Sequence, residues 1–273
     1  MNTNSSKQAV SVVLAVAFVC SLLVSVAAIT LRPVQELNQI IQRNRHVVAL
    51  TGLLDADTDS STDEILDALG RLDIRAIDLD TGEFTSAIDP ADFDARSAAN
   101  DPELGTQIPP AEDTAQLGRR SRFAIVYLVW TNGMLDRVIL PIHGQGMWST
   151  LYGYIALEAD LNTIAGVTFY EQAETAGLGD QITAPSWQAK WRGKQLGEAL
   201  SGAVRFRVAT GVVPASSPQA RYEVDALTGA TVTGAAVTDL IAYWFGPHGY
   251  APFLNRLASR PPTPPVASTR SSQ

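Results

Sequence analysis

The sequence predicts an α+β protein held by a single N-terminal transmembrane helix, with a soluble domain of antiparallel or mixed sheet and flanking helices. Three observations predict this class. Residues 8–31 carry no charged side chain, apolar runs between residues 122 and 172 alternate with turn signals, and residues 232–245 show an apolar helical pattern. The chain has 273 residues, of which 46% are hydrophobic, so it can bury one sizeable domain or two small ones.

The apolar N-terminal run is long enough to cross a membrane as a helix. At ~1.5 Å per residue, about 23 residues span the roughly 30 Å hydrocarbon core, whereas a signal peptide has a shorter apolar region. Val26-Ala27-Ala28 would also suit a cleavage site, but we expect residues 9–31 to be retained after a short cytoplasmic tail of residues 1–8. Cys20 lies in this run and is the chain's one cysteine, so no intramolecular disulfide forms.

The segment between the anchor and the soluble domain, residues 32–118, is predicted as a helical stalk followed by a wrapping loop. Apolar residues from Val34 to Leu50 recur at helical spacing. Ser61 and Glu64 then form a capping-box pattern that opens another helix, and Asp80-Thr81-Gly82 indicates a turn. Residues from about 85 to 118 are rich in Asp, Pro, Ala and Ser, which indicates a long loop around the domain.

Strand signals begin at residue 122 and open the soluble domain, residues 119–258. Asn132-Gly133 is a strong hairpin signal between two apolar runs. The remaining predicted strands cover residues 152–157, 164–172, 204–208 and 222–224, and the predicted helices cover residues 186–193, 195–200 and 232–245. The final residues, 259–273, are rich in Pro and Ser and are predicted to be disordered.

Small residues and hydroxyls cluster where the last predicted strand meets the last helix. Gly229 and Ala230 leave room for a ligand near the backbone, and the N–H groups that open the helix favour an anion. Three hydroxyls lie in the same stretch, on Thr228, Thr231 and Thr233. The stretch therefore predicts a phosphate site, and the alternative is that Thr228 or Thr231 only caps the helix.

Residues 225–234 resemble the flavinylation motif of the FMN-binding domain found in the C subunits of the sodium-translocating NADH:quinone oxidoreductases, the NqrC family, and in the G subunits of the related Rnf complexes. The resemblance implies FMN attached covalently, through its phosphate, to Thr233. Thr228 and Gly234 stand where that family usually has serine. The resulting phosphodiester keeps one negative charge, which the first turn of a helix stabilises.

Two further segments resemble the same family. Residues 174–180 resemble a loop that lies against the flavin, with Gln172 in place of the usual His and Ala176 in place of Pro; residues 144–153 resemble a stretch typical of the NqrC family. From this resemblance we expect polar flavin contacts from Glu174 and Thr175 and flavin packing by Trp148, Tyr152 and Leu178. The implied site comprises Trp148, Tyr152, Glu174, Thr175, Gly177, Leu178, Gly179, Asp225, Thr228, Gly229, Ala230, Thr231 and Thr233.

The function implied by the resemblance is that of an electron carrier in a membrane complex that oxidises NADH, reduces ubiquinone and exports sodium ions. Its partners would be the other subunits and, for maturation, a flavin transferase. The chain has no dinucleotide or P-loop fingerprint and so is not expected to bind NADH. The anchor has no carboxylate, so ion conduction is expected of partner subunits.

The resemblance also implies a bacterial inner-membrane protein with its soluble domain in the periplasm. Charge does not settle this orientation, because Lys7 precedes the span while Arg32, Arg43 and Arg45 follow it. A net charge of -8 argues against nucleic acid as a partner.

Other functions stay open at this point. They are an Rnf-type electron carrier related to the G subunits, a membrane-anchored FMN-domain sensor or regulator, and an anchored binding module without flavin. A metal site is not expected. Asp55, Asp57 and Asp59 begin like a calcium loop, but Ser60 and Leu66 replace the required Gly and Glu, and the three histidines lack zinc spacing.

Overall fold

The computed structural model describes residues 3–53, 61–198, 200 and 203–265. The chain forms two compact units, one up to Arg45 and one from His46 onward. Within the first unit, the segment Val12–Thr30 has a mean hydropathy of 2.9 and no buried part, and it is the one candidate membrane span among the described residues. The acidic residues at 55–59, where no calcium site is expected, lie outside the described residues. So does the end of the predicted disordered tail, residues 266–273.

The regular elements confirm an α+β fold. The helices are α1 (Thr3–Thr51), α2 (Thr62–Gly70), α3 (Ala95–Asn100), α4 (Pro185–Gln188), α5 (Thr231–Trp244) and α6 (Ala251–Ser259). The strands are β1 (Asp73–Asp78), β2 (Glu83–Thr85), β3 (Gly105–Gln107), β4 (Arg119–Ser121), β5 (Phe123–Thr131), β6 (Met134–Gln145), β7 (Thr150–Glu158), β8 (Ile164–Glu171), β9 (Gly197–Glu198), β10 (Ala203–Val204), β11 (Arg207–Val208) and β12 (Glu223–Val224). Helix α1 includes the apolar run and ends at Thr51.

The second unit is built on a six-stranded antiparallel sheet with the order β2-β1-β5-β6-β7-β8. Neighbouring residues on a strand point to opposite faces, so each face has its own core. Val138 and Leu140 of β6 lie in the core that includes Val237 of α5, whereas Ile139 packs in the core that includes Val47 and Leu50 of α1. Helix α5 thus covers one face, and the C-terminal residues of α1 cover the other.

Local signals in the sequence fix several of these elements. Asn132 and Gly133 both have positive φ, 53° and 78°, as the two-residue turn between β5 and β6 demands. The predicted capping box is present at the start of α2, where Ser61 and Glu64 bond reciprocally to each other's backbone N–H. These contacts are local in sequence, which is why a pattern could predict them.

The predicted wrapping loop, residues 85–118, contains regular structure that composition did not indicate. Helix α3 is capped by the Asp94 carboxylate, which accepts the N–H groups of Arg96 and Ser97. Strand β3 pairs with β4 outside the main sheet. The preceding residues contribute β1 and β2 to the main sheet, so residues 61–118 complete the fold.

The helix predicted over residues 195–200 is wrong. Gln195 bridges to Thr163, and β9 pairs antiparallel with β10. Gly197 has φ 122°, a conformation that no right-handed helix uses and that favours glycine. The apolar pattern that suggested a helix instead reflects Leu196, which is fully buried in the core.

Candidate functional site

Helix α5 begins without a side-chain cap. Its N-cap is Ala230 (φ -129°, ψ 53°), so neither Thr228 nor Thr231 fills the capping role that the sequence alone allowed. The first N–H groups of a helix have no partner within the helix, and the helix dipole makes them attractive to anions. The start of α5 therefore suits a phosphate better than an ordinary capped helix does.

Thr233 is buried in the first turn of α5 and is bonded to Glu174. Its side chain is 1% exposed, and its Oγ1 donates to Glu174 Oε2 at 2.6 Å. Glu174 itself is 7% exposed. A carboxylate at this distance from a hydroxyl makes a charge-assisted bond, which holds the hydroxyl in one orientation.

The second oxygen of Glu174 reaches the third segment of the predicted site. Glu174 Oε1 accepts the backbone N–H of Trp148 at 3.0 Å. The Trp148 indole then donates through Nε1 to Thr175 Oγ1 at 3.1 Å. One carboxylate thus joins three chain segments that lie far apart in sequence, and each of the three was singled out from sequence.

Two glycines permit this close packing. A Cβ on Gly179 would lie 2.7 Å from Thr233 Oγ1, and a Cβ on Gly146 would lie 2.7 Å from Glu174 Oε1. Both distances are too short for real contacts. A side chain at either position would displace the carboxylate or the hydroxyl, so these glycines are needed for the site's geometry.

The loop that follows Glu174 is tied to the segment before α5. Gly229 has φ 76°, and a Cβ there would lie 2.8 Å from Leu178 Cδ2. Gln181 Nε2 donates to the carbonyl oxygens of Gly177 at 3.0 Å and Thr228 at 3.2 Å. Gln181 was missed from sequence, because nothing local marks a side chain whose partners lie in another loop.

Several apolar side chains in the segments around Thr233 and Glu174 are exposed to solvent. Met147 is 50% exposed, Trp148 65%, Leu178 41% and Val232 55%. Each belongs to one of the three joined segments. Exposed apolar and aromatic groups beside an uncapped helix start suit a ligand with an anionic group and a flat apolar ring.

Gln172 and Ser149 support the backbone near Glu174. Gln172 Oε1 accepts the N–H of Glu174 at 2.5 Å, and Ser149 Oγ accepts the N–H of Ala173 at 2.7 Å. Gln172, which differs from the usual His of the family the sequence resembles, therefore has a structural partner in this chain. Ala176 is exposed and fills no comparable role among the described contacts.

Asp225 binds protein groups rather than the Thr233 cluster. Its carboxylate pairs with Lys190 at 2.7 Å and accepts the N–H of Val213 at 2.8 Å. The hydrogen bond from Lys190 and then that from Val213 lower the pKa of Asp225 below its usual value. Trp187 Nε1 also donates to the Asp225 carbonyl at 3.0 Å, so this residue anchors the segment that leads into α5.

Tyr152 likewise has contacts outside the Thr233 cluster. Its ring stacks on His143 at 5.5 Å, and the Arg96 guanidinium lies 3.6 Å from the ring centroid. Arg96 in turn forms a two-bond pair with Glu171 at the end of β8, at 3.0 and 2.6 Å. The described side-chain contacts of Tyr152 and Asp225 therefore do not join the Thr233 cluster.

Comparison with known proteins points to one family. The FMN-binding domain family matches residues 146–246, a span that contains Trp148, Glu174 and Thr233. The C subunit of the Na(+)-translocating NADH-quinone reductase of Pseudomonas aeruginosa is 40% identical over 257 residues, which cover 94% of this chain and 97% of that protein. The C subunit of the Vibrio alginolyticus reductase is 36% identical over 259 residues, covering 94% and 96%. The crystal structure of Shewanella oneidensis NqrC superimposes with a TM-score of 0.71 at 36% identity, covering 79% of this chain and 96% of that chain.

Proposed function

Because the chain belongs to the NqrC family, the C subunits of the Na(+)-translocating NADH-quinone reductases, we propose that its FMN is bound covalently, through the phosphate, to Thr233. Family membership makes the chain an electron-carrying subunit of that complex, with an FMN-binding domain and other subunits as partners. The attachment itself would be made by a flavin transferase. The relatives from Pseudomonas aeruginosa and Vibrio alginolyticus are named as C subunits of the reductase, which favours this assignment over an Rnf-type electron carrier.

The observation that carries this proposal is the hydroxyl of Thr233 beside an uncapped helix start. The phosphate would be held by the N–H groups of the first turn of α5, with Gly229 and Ala230 leaving room at the backbone. Thr231, whose side chain is exposed, is a further hydroxyl next to the phosphate. The free backbone N–H groups, the small residues and the threonine hydroxyls at the start of α5 therefore fit a phosphoester.

The flavin ring would rest on the exposed apolar rim. Trp148 and Leu178 supply large apolar surfaces, and the bond of the Trp148 indole to Thr175 fixes the orientation of that ring. When bound, the flavin supplies the electron chemistry, while this chain supplies binding, orientation and electrostatics. A covalent tether suits a carrier whose cofactor never exchanges.

We further propose that the soluble domain lies in the periplasm. The one candidate span among the described residues, Val12–Thr30, carries no carboxylate, so this helix can anchor the chain but offers no carboxylate ligand for a cation in the membrane. The whole second unit follows the span. With a single span, the flavin domain would lie entirely on one side of the membrane.

The experiment that tests the attachment compares wild type with Thr233→Ala and Thr62→Ala, each produced with the flavin transferase and exported. Thr62→Ala is the control because it removes an exposed threonine hydroxyl at the start of a helix outside the predicted site. We expect intact mass to show one FMN on wild type and on Thr62→Ala, and none on Thr233→Ala, with in-gel flavin fluorescence following the same pattern. FMN on Thr233→Ala, or none on wild type, would refute the proposal.

A further inference from the structure

The hydrogen bond between Thr233 and Glu174 cannot survive flavin attachment in its present form. Thr233 Oγ1 is the donor and Glu174 Oε2 the acceptor, 2.6 Å apart. A phosphoester oxygen has no hydrogen to donate, so attachment would leave a buried carboxylate oxygen without its partner. Resting on the covalent attachment proposed above, we propose that Glu174 takes the Thr233 proton during attachment and keeps it afterwards.

The step balances without any oxidant or reductant. A flavin dinucleotide carries FMN as one half of a pyrophosphate, so its phosphorus has a leaving group. Thr233 Oγ1 bonds to that phosphorus, and the phosphoanhydride P–O bond breaks, so that a nucleoside monophosphate departs with the bonding electrons. The hydroxyl proton passes to Glu174 Oε2, which lies within the distance required of a general base.

Retention of the proton follows from burial and charge. Glu174 is 7% exposed, and none of the ion pairs among the described residues involves it. Lys190, on the segment that follows the Glu174 loop, is paired with Asp225 instead. An ionised Glu174 beside a phosphodiester would place two negative charges together in a poorly solvated site. A protonated Glu174 avoids this repulsion and becomes the donor in the same contact.

The other bond of Glu174 is compatible with both states. Oε1 accepts the Trp148 N–H at 3.0 Å, and a carboxyl oxygen can accept that bond whether or not the other oxygen carries a proton. Attachment therefore reverses the Thr233 contact while the link to the Trp148 segment persists. A residue that only holds the loop in place would not need to change from acceptor to donor in the Thr233 contact.

Glutamine at position 174 separates the two roles. Its amide oxygen can accept the Trp148 N–H, but its NH2 group then faces Thr233 and cannot take a proton. The amide therefore imitates the protonated acid and not the carboxylate. We expect Glu174→Gln to slow attachment and yet to hold an attached flavin well, whereas loss of a brace would harm both states.

The rate test uses full-length chain in detergent with the flavin transferase and flavin adenine dinucleotide as donor. Attachment is followed by in-gel fluorescence and intact mass for wild type, Glu174→Gln, Glu174→Asp and the control Glu103→Gln, which changes an exposed carboxylate. We expect Glu174→Gln to be slower by about 10²–10⁴-fold, Glu174→Asp to keep more of the rate, and Glu103→Gln to match wild type. Attachment to Glu174→Gln within about twofold of wild type would refute the role of Glu174 while leaving attachment to Thr233 intact; an unlabelled wild type would refute both.

An infrared measurement on wild-type protein tests the retained proton, and Glu174→Gln serves to assign the band. The difference spectrum of wild-type protein before and after attachment should gain the C=O band of a protonated carboxylic acid. Attached Glu174→Gln should lack this band, and its thermal stability should lie close to that of attached wild type. A wild-type difference spectrum without the acid band would show that the proton leaves the site and would overturn the proposal.

Discussion

At the residue scale, the site depends on one carboxylate that serves two donors at once. Glu174 accepts the Thr233 hydroxyl with one oxygen and the Trp148 N–H with the other. The sequence motifs singled out the three segments in which these residues lie. It could not show that they share hydrogen bonds, because the partners are separated by 59 and 26 positions and only the fold brings them together.

Gly179 provides a test of how tightly this pair is packed. A Cβ there would lie 2.7 Å from Thr233 Oγ1 and 2.8 Å from Glu174 Cβ, so Gly179→Ala must push the two groups apart. We expect the variant to lose about 1–3 kcal/mol of unfolding free energy, as overpacked cores do. We also expect slower flavin attachment, measured as the time course of in-gel fluorescence.

The control for Gly179 is Gly211→Ala, because a Cβ on Gly211 meets nothing within 4 Å. This variant should attach flavin at the wild-type rate and unfold at the wild-type temperature. If Gly179→Ala behaved in the same way, the space around Thr233 would be larger than the structure shows.

Some residues also have contacts that the sequence did not indicate. Tyr152 is predicted as a flavin contact from the segment it lies in, and the structure adds that its ring contacts His143 and Arg96. Arg96 comes from the region predicted as a loop, so its contact with Tyr152 had no signal in the local pattern. Side-chain type can be predicted from a motif, but the direction of a side chain depends on strand register.

At the element scale, the sequence predicted those elements whose signals are local. The β5–β6 turn, the start of α2 and the extent of α5 all follow from residues within a few positions of one another. The helix prediction for residues 195–200 was wrong because β9 pairs with β10, although the apolar residues there are spaced as in a helix. Tertiary contacts decide such short, ambiguous segments.

Gly197→Ala distinguishes the predicted helix from the observed strand pair, because the two structures predict opposite changes in the free energy of unfolding. In a helix, Gly197→Ala would stabilise the protein by about 1 kcal/mol. In the β9–β10 pair, Gly197 has φ 122° and its Cβ would lie 2.8 Å from the backbone nitrogen of Arg205, so the same change must destabilise. We expect a loss of about 1–3 kcal/mol in urea unfolding. A gain in stability would restore the helix predicted from sequence.

At the scale of the whole molecule, the second unit should respond to pH through His143. Burial, followed by the charge of Arg96, lowers the pKa of His143 from 6.5 to about 4. Between these values the unfolded chain binds a proton that the folded chain does not bind, so stability should rise with pH from about 4 to 6.5. The change should be on the order of 3 kcal/mol in unfolding free energy.

His143→Gln is the comparison that isolates this effect, since it removes the titrating ring and leaves the carboxylates. Asp78, Asp94, Asp160 and Asp225 have lowered pKa values, so the stability they contribute is lost below about pH 4, outside the histidine window. Urea unfolding between about pH 4.5 and 6.5 should therefore have a smaller slope against pH in His143→Gln than in wild type. Equal slopes would assign the pH dependence to other groups.

The orientation of the chain across the membrane is also decided at this scale, and two physical arguments disagree about it. The arginines that follow the span would keep the soluble domain in the cytoplasm under the positive-inside tendency, whereas the family resemblance favours the periplasm. We expect the periplasmic arrangement, because charge bias loses influence when a large folded domain follows a single span.

In a Cys20→Ala background, Ser216→Cys on the exposed surface should react with a membrane-impermeant maleimide in spheroplasts, whereas Ser5→Cys should react only after lysis. The reverse labelling pattern would place the flavin domain in the cytoplasm.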